Sequence, residues 1–146
     1  MRIYIASSRR NQHAREMLST MMLLKGHEVF SIEGHSAPEE QISDLPVDFA
    51  EWNSTEYANH SFELHTKSAM SADLIIYIGP SGKDAAAVCG MAFAKGIAIF
   101  GLFEKSEDFG LMRKMMVRWF EHYDDMFKEI DAYSDVLEAA GIKIGT

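Results

Sequence analysis

The chain has 146 residues, 47% of them hydrophobic and 11% aromatic, which suits one domain spanning 1–146 with a single core and excludes a disordered chain. Its 14 basic residues against 22 acidic ones leave a formal net charge of -8, which excludes a general nucleic-acid-backbone binder, since such binding rests on a surplus of Lys and Arg. A lone cysteine, Cys89, allows no internal disulfide. No apolar run approaches the roughly 18 residues of a membrane span, and the N-terminus enters a strand without a signal-type apolar stretch, so a cytoplasmic location without membrane contact is expected.

In chain order, Arg2-Ile3-Tyr4-Ile5-Ala6 reads as a buried strand ended by Ser7-Ser8. The segment to Lys25 places Ala14, Met17, Leu18, Met21, Met22 and Leu24 at helical spacing, and Gly26 stops it. His27 to Ile32 is a second strand. From Glu33 to about Tyr57 the periodicity dissolves into a polar insertion with Gly34, Pro38 and Pro46, of the kind that forms a lid or an oligomer contact. A helix beginning at Thr55 or Ser61 runs to Ser71 with Phe62, Leu64, Ala69 and Met70 as its apolar positions.

Asp73 to Ile78 is a third strand, and its continuous β-branched run predicts a parallel strand covered on both faces. Gly79-Pro80-Ser81-Gly82-Lys83-Asp84 breaks that strand and leads into a helix of small residues that Lys95-Gly96 ends. Ile97 to Phe103 is a fourth strand, Glu104 to Asp108 an acidic loop, and Phe109 to Met116 a short helix. Val117 to Glu121 is either a fifth strand or more of that helix. Tyr123 to Ala140 is a last amphipathic helix with Met126, Phe127, Ile130, Tyr133, Val136 and Leu137 inward, closed by Gly141. The alternation predicts an α/β fold, a three-layer flavodoxin- or Rossmann-like sandwich around a parallel sheet.

The crevice at the carboxyl ends of such strands is the usual ligand site. Gly79, Gly82 and Lys83 before a helix invite an anion, though their spacing fits neither the Walker pattern nor the dinucleotide fingerprint. Asp84 suits a first-turn cap that complements the helix dipole. Arg9 and Arg10 after strand one are able to clamp a phosphate or to face solvent. Cys89 has no neighbouring base in sequence and reads as a small core residue. His60 and His65 stand five apart on different helix faces, unlike metal-binding pairs, so no metal is expected and a solvated helix is the default. The ten methionines suit core packing or a homo-oligomer contact.

Taken together, Arg2 to Asn11, Lys25-Gly26-His27-Glu28-Val29, Ser71-Ala72-Asp73 and Gly90-Met91-Ala92-Phe93-Ala94-Lys95-Gly96 resemble, in order, the nucleoside 2-deoxyribosyltransferase-like family. Leu111-Met112-Arg113-Lys114-Met115 resembles its small-protein branch. The resemblance implies a flavodoxin-like sheet of about five parallel strands. It also implies cleavage or transfer of the N-glycosidic bond of a nucleoside or nucleotide through a glycosyl-carboxylate intermediate, with no cofactor.

The family's nucleophilic glutamate lies two positions before the glycine of its helix motif, which is Val88 in this chain. By the same correspondence Tyr4 stands where a tyrosine hydrogen-bonds the nucleophile. Ser7, Ser8 and Arg9 fall on the loop touching sugar or base, and Gly82, Lys83 and Asp84 on the loop holding sugar hydroxyls or a 5′-phosphate, beside Gly79. A nucleophile must reach the anomeric carbon at roughly 3 Å. Asp84 sits one turn earlier than Val88, a displacement of about 5.4 Å. The expected function is therefore nucleoside or nucleotide binding without the usual covalent transfer, a pseudoenzyme. The alternative is an active N-glycosidase or deoxyribosyltransferase whose carboxylate comes from Asp84, Glu51, Glu56 or a neighbouring subunit. A flavin carrier is disfavoured because the Ser7 to Asn11 loop is poor in Gly and Thr.

Overall fold

Strands β1 (Arg2–Ser7), β2 (Glu28–Ser31), β3 (Leu74–Ile78), β4 (Ala98–Leu102) and β5 (Arg118–Phe120) form one parallel sheet in the order β2-β1-β3-β4-β5. This computed structural model describes residues 1–31, 48–108 and 110–142. The sheet order is the flavodoxin-like one. The helices are α1 (Gln12–Leu24), α2 (Phe49–Asn53), α3 (Glu56–Met70), α4 (Lys83–Lys95), α5 (Met112–Met115) and α6 (Tyr123–Ala139), with a 3-10 turn at Arg9–Asn11.

Alternation along the strands builds two cores. Tyr4, Ala6, Ile75, Tyr77 and Ile99 point to one face and pack with Ala69 of α3 and Ala85, Val88, Cys89 and Ala92 of α4. Ile3, Ile5, Leu74, Ile76, Ile78, Phe100 and Leu102 point to the other, against Leu18 and Met22 of α1 and Met126 and Ile130 of α6. The result is the predicted three-layer sandwich, because a β-branched strand with a period of two buries both faces only between two helical layers. Fully burying each large aliphatic side chain contributes about 1.5–3 kcal/mol.

Local chemistry sets the helix ends. Thr55 Oγ1 accepts the Ala58 amide at 3.1 Å to start α3, and Asp48 accepts the amides of Ala50 and Glu51 to start α2. Gly96 ends α4 at φ +78°, a left-handed cap that glycine adopts without a Cβ clash. At Gly101 a Cβ would press on Met116 Sδ and the Trp119 ring, so the bare backbone lets those side chains lie across β4.

The sequence reading differs from the structure in several places. Val117 to Glu121 yields a three-residue strand and α5 only one helical turn, with Phe109 outside the described residues. Val136 is 63% exposed, because the buried stripe of α6 continues from Met126 and Ile130 to Ser134, which turns residue 136 to the opposite face. Met17 and Leu24 lie at the exposed edge of α1. Most of the polar insertion, residues 32–47, falls outside the described residues; its end forms α2 and the entry to α3.

Candidate functional site

A cavity of about 720 Å³ opens where β1 ends, between α3 and α4. Ser7, Ser8 and Arg9 form its β1 side, Gly82, Lys83, Asp84, Ala85, Ala87, Val88 and Met91 its α4 side. Trp52 of α2 and Tyr57, Ala58, Ser61, Phe62, His65 and Thr66 close it from the third side. It occupies the crevice outside the carboxyl ends of the strands, as expected for an open parallel sheet.

The two loops at its mouth are tied together. The Ser8 amide donates to Ser81 Oγ at 2.9 Å, and that hydroxyl donates to the Ile78 carbonyl at 2.6 Å. Asn11 Nδ2 donates to the carbonyls of Ile78 and Pro80 at 3.2 and 2.9 Å. These hydrogen bonds join residues 8–11 and 78–81 into one rim. Gly82 is the N-cap of α4 and supplies no side chain, so the first amides of this 13-residue helix stay available to a ligand. Asp84 lies in the first turn but makes no capping hydrogen bond, contrary to the sequence expectation, and its charge complements the helix dipole from the cavity wall.

Tyr4, Ser7, Ser8, Arg9, Gly82, Lys83, Asp84 and Val88 are thus gathered around one volume, with Tyr4 just behind the wall. The Tyr4 side chain is fully buried, and its hydroxyl lies 3.3 Å from His65 Nδ1. Burial, and then the charge of Asp84, push its pKa upward, so it remains a neutral phenol. Val88 is 3% exposed and presents only methyl groups to the cavity wall.

Gly79 is placed elsewhere. It does not line the cavity and lies on the far flank of the loop against Glu107, where a Cβ would overlap the carboxylate. Tyr77 donates a hydrogen bond to Glu107 Oε1, while Glu107 Oε2 is buried with no hydrogen-bond partner. Burial raises the Glu107 pKa, and the Tyr77 hydrogen bond works against that rise. Glu51 and Glu56 are exposed in the first turns of α2 and α3 and do not line the cavity.

Cys89 is fully buried, and burial alone pushes its thiol up to about 12, which leaves it an inert core residue. His60 is exposed, whereas His65 is half-buried and reaches Tyr4, so the fully solvated reading of this helix fails at His65. Sequence reasoning also missed Trp52, Tyr57 and Met91 as wall residues. The available signal was Tyr4 itself: a buried phenol needs a partner, and Val88 is not one. No group of three metal-ligating side chains occurs among the described residues, and no helix among them is long and apolar enough to cross a membrane.

No family model matches the sequence, and no curated protein does. Solved structures do match. A 2-deoxyribosyltransferase from the psychrotolerant bacterium Bacillus psychrosaccharolyticus superposes with a TM-score of 0.66 at 21% identity, over 85% of this chain and 88% of the other. A CMP N-glycosidase from Clostridium botulinum gives 0.54 at 16% identity over 91% and 99% of the two chains. A conserved protein from Enterococcus faecalis V583 gives 0.58 at 16% over 90% and 97%. Strand order, layering and these superpositions agree, and the chain has the nucleoside 2-deoxyribosyltransferase-like fold.

Proposed function

We propose that the protein binds a nucleoside or nucleotide in the cavity between α3 and α4 and lacks covalent glycosyl transfer. The observation that carries this reading is Val88 on the cavity wall, beside a Tyr4 hydroxyl that is bonded to an imidazole. The covalent reaction needs a carboxylate oxygen to form a bond to the anomeric carbon as the base departs. A valine side chain has no electron pair to give.

The means of binding are present. Trp52, Tyr57 and Phe62 offer aromatic faces to a base, and Trp52 and Phe62 are 38% and 69% exposed. Lys83, Arg9 and the unused amides at the start of α4 suit sugar hydroxyls or a 5′-phosphate. The fold neighbours support the reading, one being a 2-deoxyribosyltransferase and another a CMP N-glycosidase.

A second reading, catalysis through Asp84, draws on one observation: its carboxylate lines the cavity close enough for its charge to act on Tyr4. Incubation with a panel of ribonucleosides, deoxyribonucleosides and their 5′-monophosphates separates the two. Thermal stabilisation without release of free base is the expected outcome. Base release that Asp84→Asn abolishes would establish the second reading in its place.

A further inference from the structure

Ten consecutive residues of α4, Ala85 to Ala94, carry no charged, amide or hydroxyl side chain. Ala85, Val88, Cys89 and Ala92 are buried on the sheet side. At about 100° per residue, Ala87, Gly90 and Ala94 run along the middle of the opposite face, with Ala86 and Phe93 on one flank and Met91 on the flank that lines the cavity. Ala87, Phe93 and Ala94 are exposed, Phe93 by 55%. The other long helices turn charge to water: Glu16 on α1, Glu63 and Lys67 on α3, and Asp125 and Lys128 on α6 are all exposed. A helix that is apolar all round belongs in an interior, so the outer face of α4 calls for a cover. Phe62 on α3 and Leu111 on α5, two helices packed against α4, are 69% and 81% exposed and widen that face. Gly90 points the same way. Its φ is not positive and a Cβ there would meet nothing within 4 Å, so this chain alone gives no reason for glycine where alanine suits a helix better. The close approach of another backbone is such a reason.

We infer that a second copy of this chain covers α4, the two helices crossing antiparallel about a twofold axis at Gly90. Charge favours a copy on this face. Two chains of formal net charge -8 repel one another, and a stretch without Asp or Glu is where they meet at least cost. The order of residues is also self-complementary, as an isologous contact requires. In an antiparallel pair centred on residue 90, positions whose numbers sum to 180 lie level. Phe93 then comes beside the partner's Ala86, two residues of the same flank, so that the large side chain meets a small one. On the cavity flank, Asp84 comes level with the partner's Lys95, and the symmetry repeats this pair of opposite charges at the other end of the contact. Gly90 on the axis lets the backbones approach. This inference does not depend on what the cavity binds.

Sedimentation velocity at micromolar concentrations tests the contact. The unaltered protein should sediment at twice the 16.5 kDa of one chain. Phe93→Glu and Ala94→Arg, both at exposed positions, should sediment as monomers with the circular dichroism of the folded chain, while Leu24→Glu on the opposite layer should remain dimeric. Gly90→Ala gives a signature that a purely local role would not. In the Phe93→Glu background it should raise the unfolding midpoint, since alanine favours the helix. In the otherwise unaltered protein it should weaken the dimer about tenfold, since the added methyl group overpacks the crossing. A monomeric unaltered protein would overturn the inference, as would a dimer that survives Phe93→Glu and Ala94→Arg or is lost in Leu24→Glu. A dimer indifferent to Gly90→Ala would refute the crossing at residue 90.

Discussion

Tyr4 and Tyr77 stand on neighbouring strands, on the same sheet face, and both are fully buried beneath α4. The register pairs Tyr4 with Ile75 and Ala6 with Tyr77, so the two tyrosines are offset by one pleat. Their hydroxyls go to opposite flanks of α4 and meet opposite chemistry. Tyr4 meets an imidazole on the cavity wall, and Tyr77 meets the Glu107 carboxylate away from it. The tyrosine–carboxylate pair therefore lies on the flank where it ties Glu107 to β3, and the tyrosine beside the cavity has an imidazole partner instead.

Removing the hydroxyl at Tyr77 should have the largest effect on stability. Tyr77→Phe deprives a half-buried carboxylate of its phenol donor and should cost about 1–2 kcal/mol at pH 7, partial exposure keeping it below the range for a fully buried charge. The cost depends on pH with a definite sign. Burial raises the folded-state pKa of Glu107 above its unfolded value, so its contribution is most favourable below the ordinary carboxylate range and is lost as pH rises through the folded value. The Tyr77→Phe deficit should therefore shrink on acidification, as urea unfolding at pH 7 and at pH 4.5 will show. A deficit that grows on acidification would mean that Glu107 is not the group left exposed.

Next in size is Gly79→Ala, whose methyl group must displace the Glu107 carboxylate and break the Tyr77 hydrogen bond. A loss of about 1 kcal/mol is expected, falling below about 0.5 kcal/mol in a Glu107→Ala background, because the obstacle is then gone. Additive losses in that double-mutant cycle would break the proposed contact. The smallest effect belongs to the cavity flank: Asp84→Asn removes only a charge near the α4 N-terminus and should shift stability by ~0.5 kcal/mol or less. That variant should leave the Glu107 pH signature unchanged.

Much of this frame was legible in the residues, for physical reasons. The β-branched runs at 74–78 and 97–102 demanded burial on both faces, and Gly96 punctuated a helix where a left-handed residue was needed. Val88 was singled out only through the family resemblance, and it lines the cavity's α4 wall. Phe62 shows where pattern alone stops. It continues the inward stripe of α3 from Ala58 toward His65 and Ala69, yet it is exposed, because between the two alanines the facing volume is cavity and not core. Periodicity reports which face a residue occupies and not what fills the space opposite. His65 was weighed only against His60, five residues away, whereas its partner lies 61 residues earlier on β1. Glu107, in a loop without periodicity, carried no signal at all.

The run of small side chains on α4 has a consequence for which substitutions the cavity tolerates. Ala85, Val88, Cys89 and Ala92 seat that helix close on the sheet, so its wall has little room to vary without disturbing the core. The opposing wall carries its bulk on Trp52, Tyr57 and Phe62, where substitutions meet open space. One wall is thus constrained by packing and the other has room for altered side chains. Exchanging residues 48–66 between relatives of this fold should transplant ligand preference while the strands beneath stay unaltered.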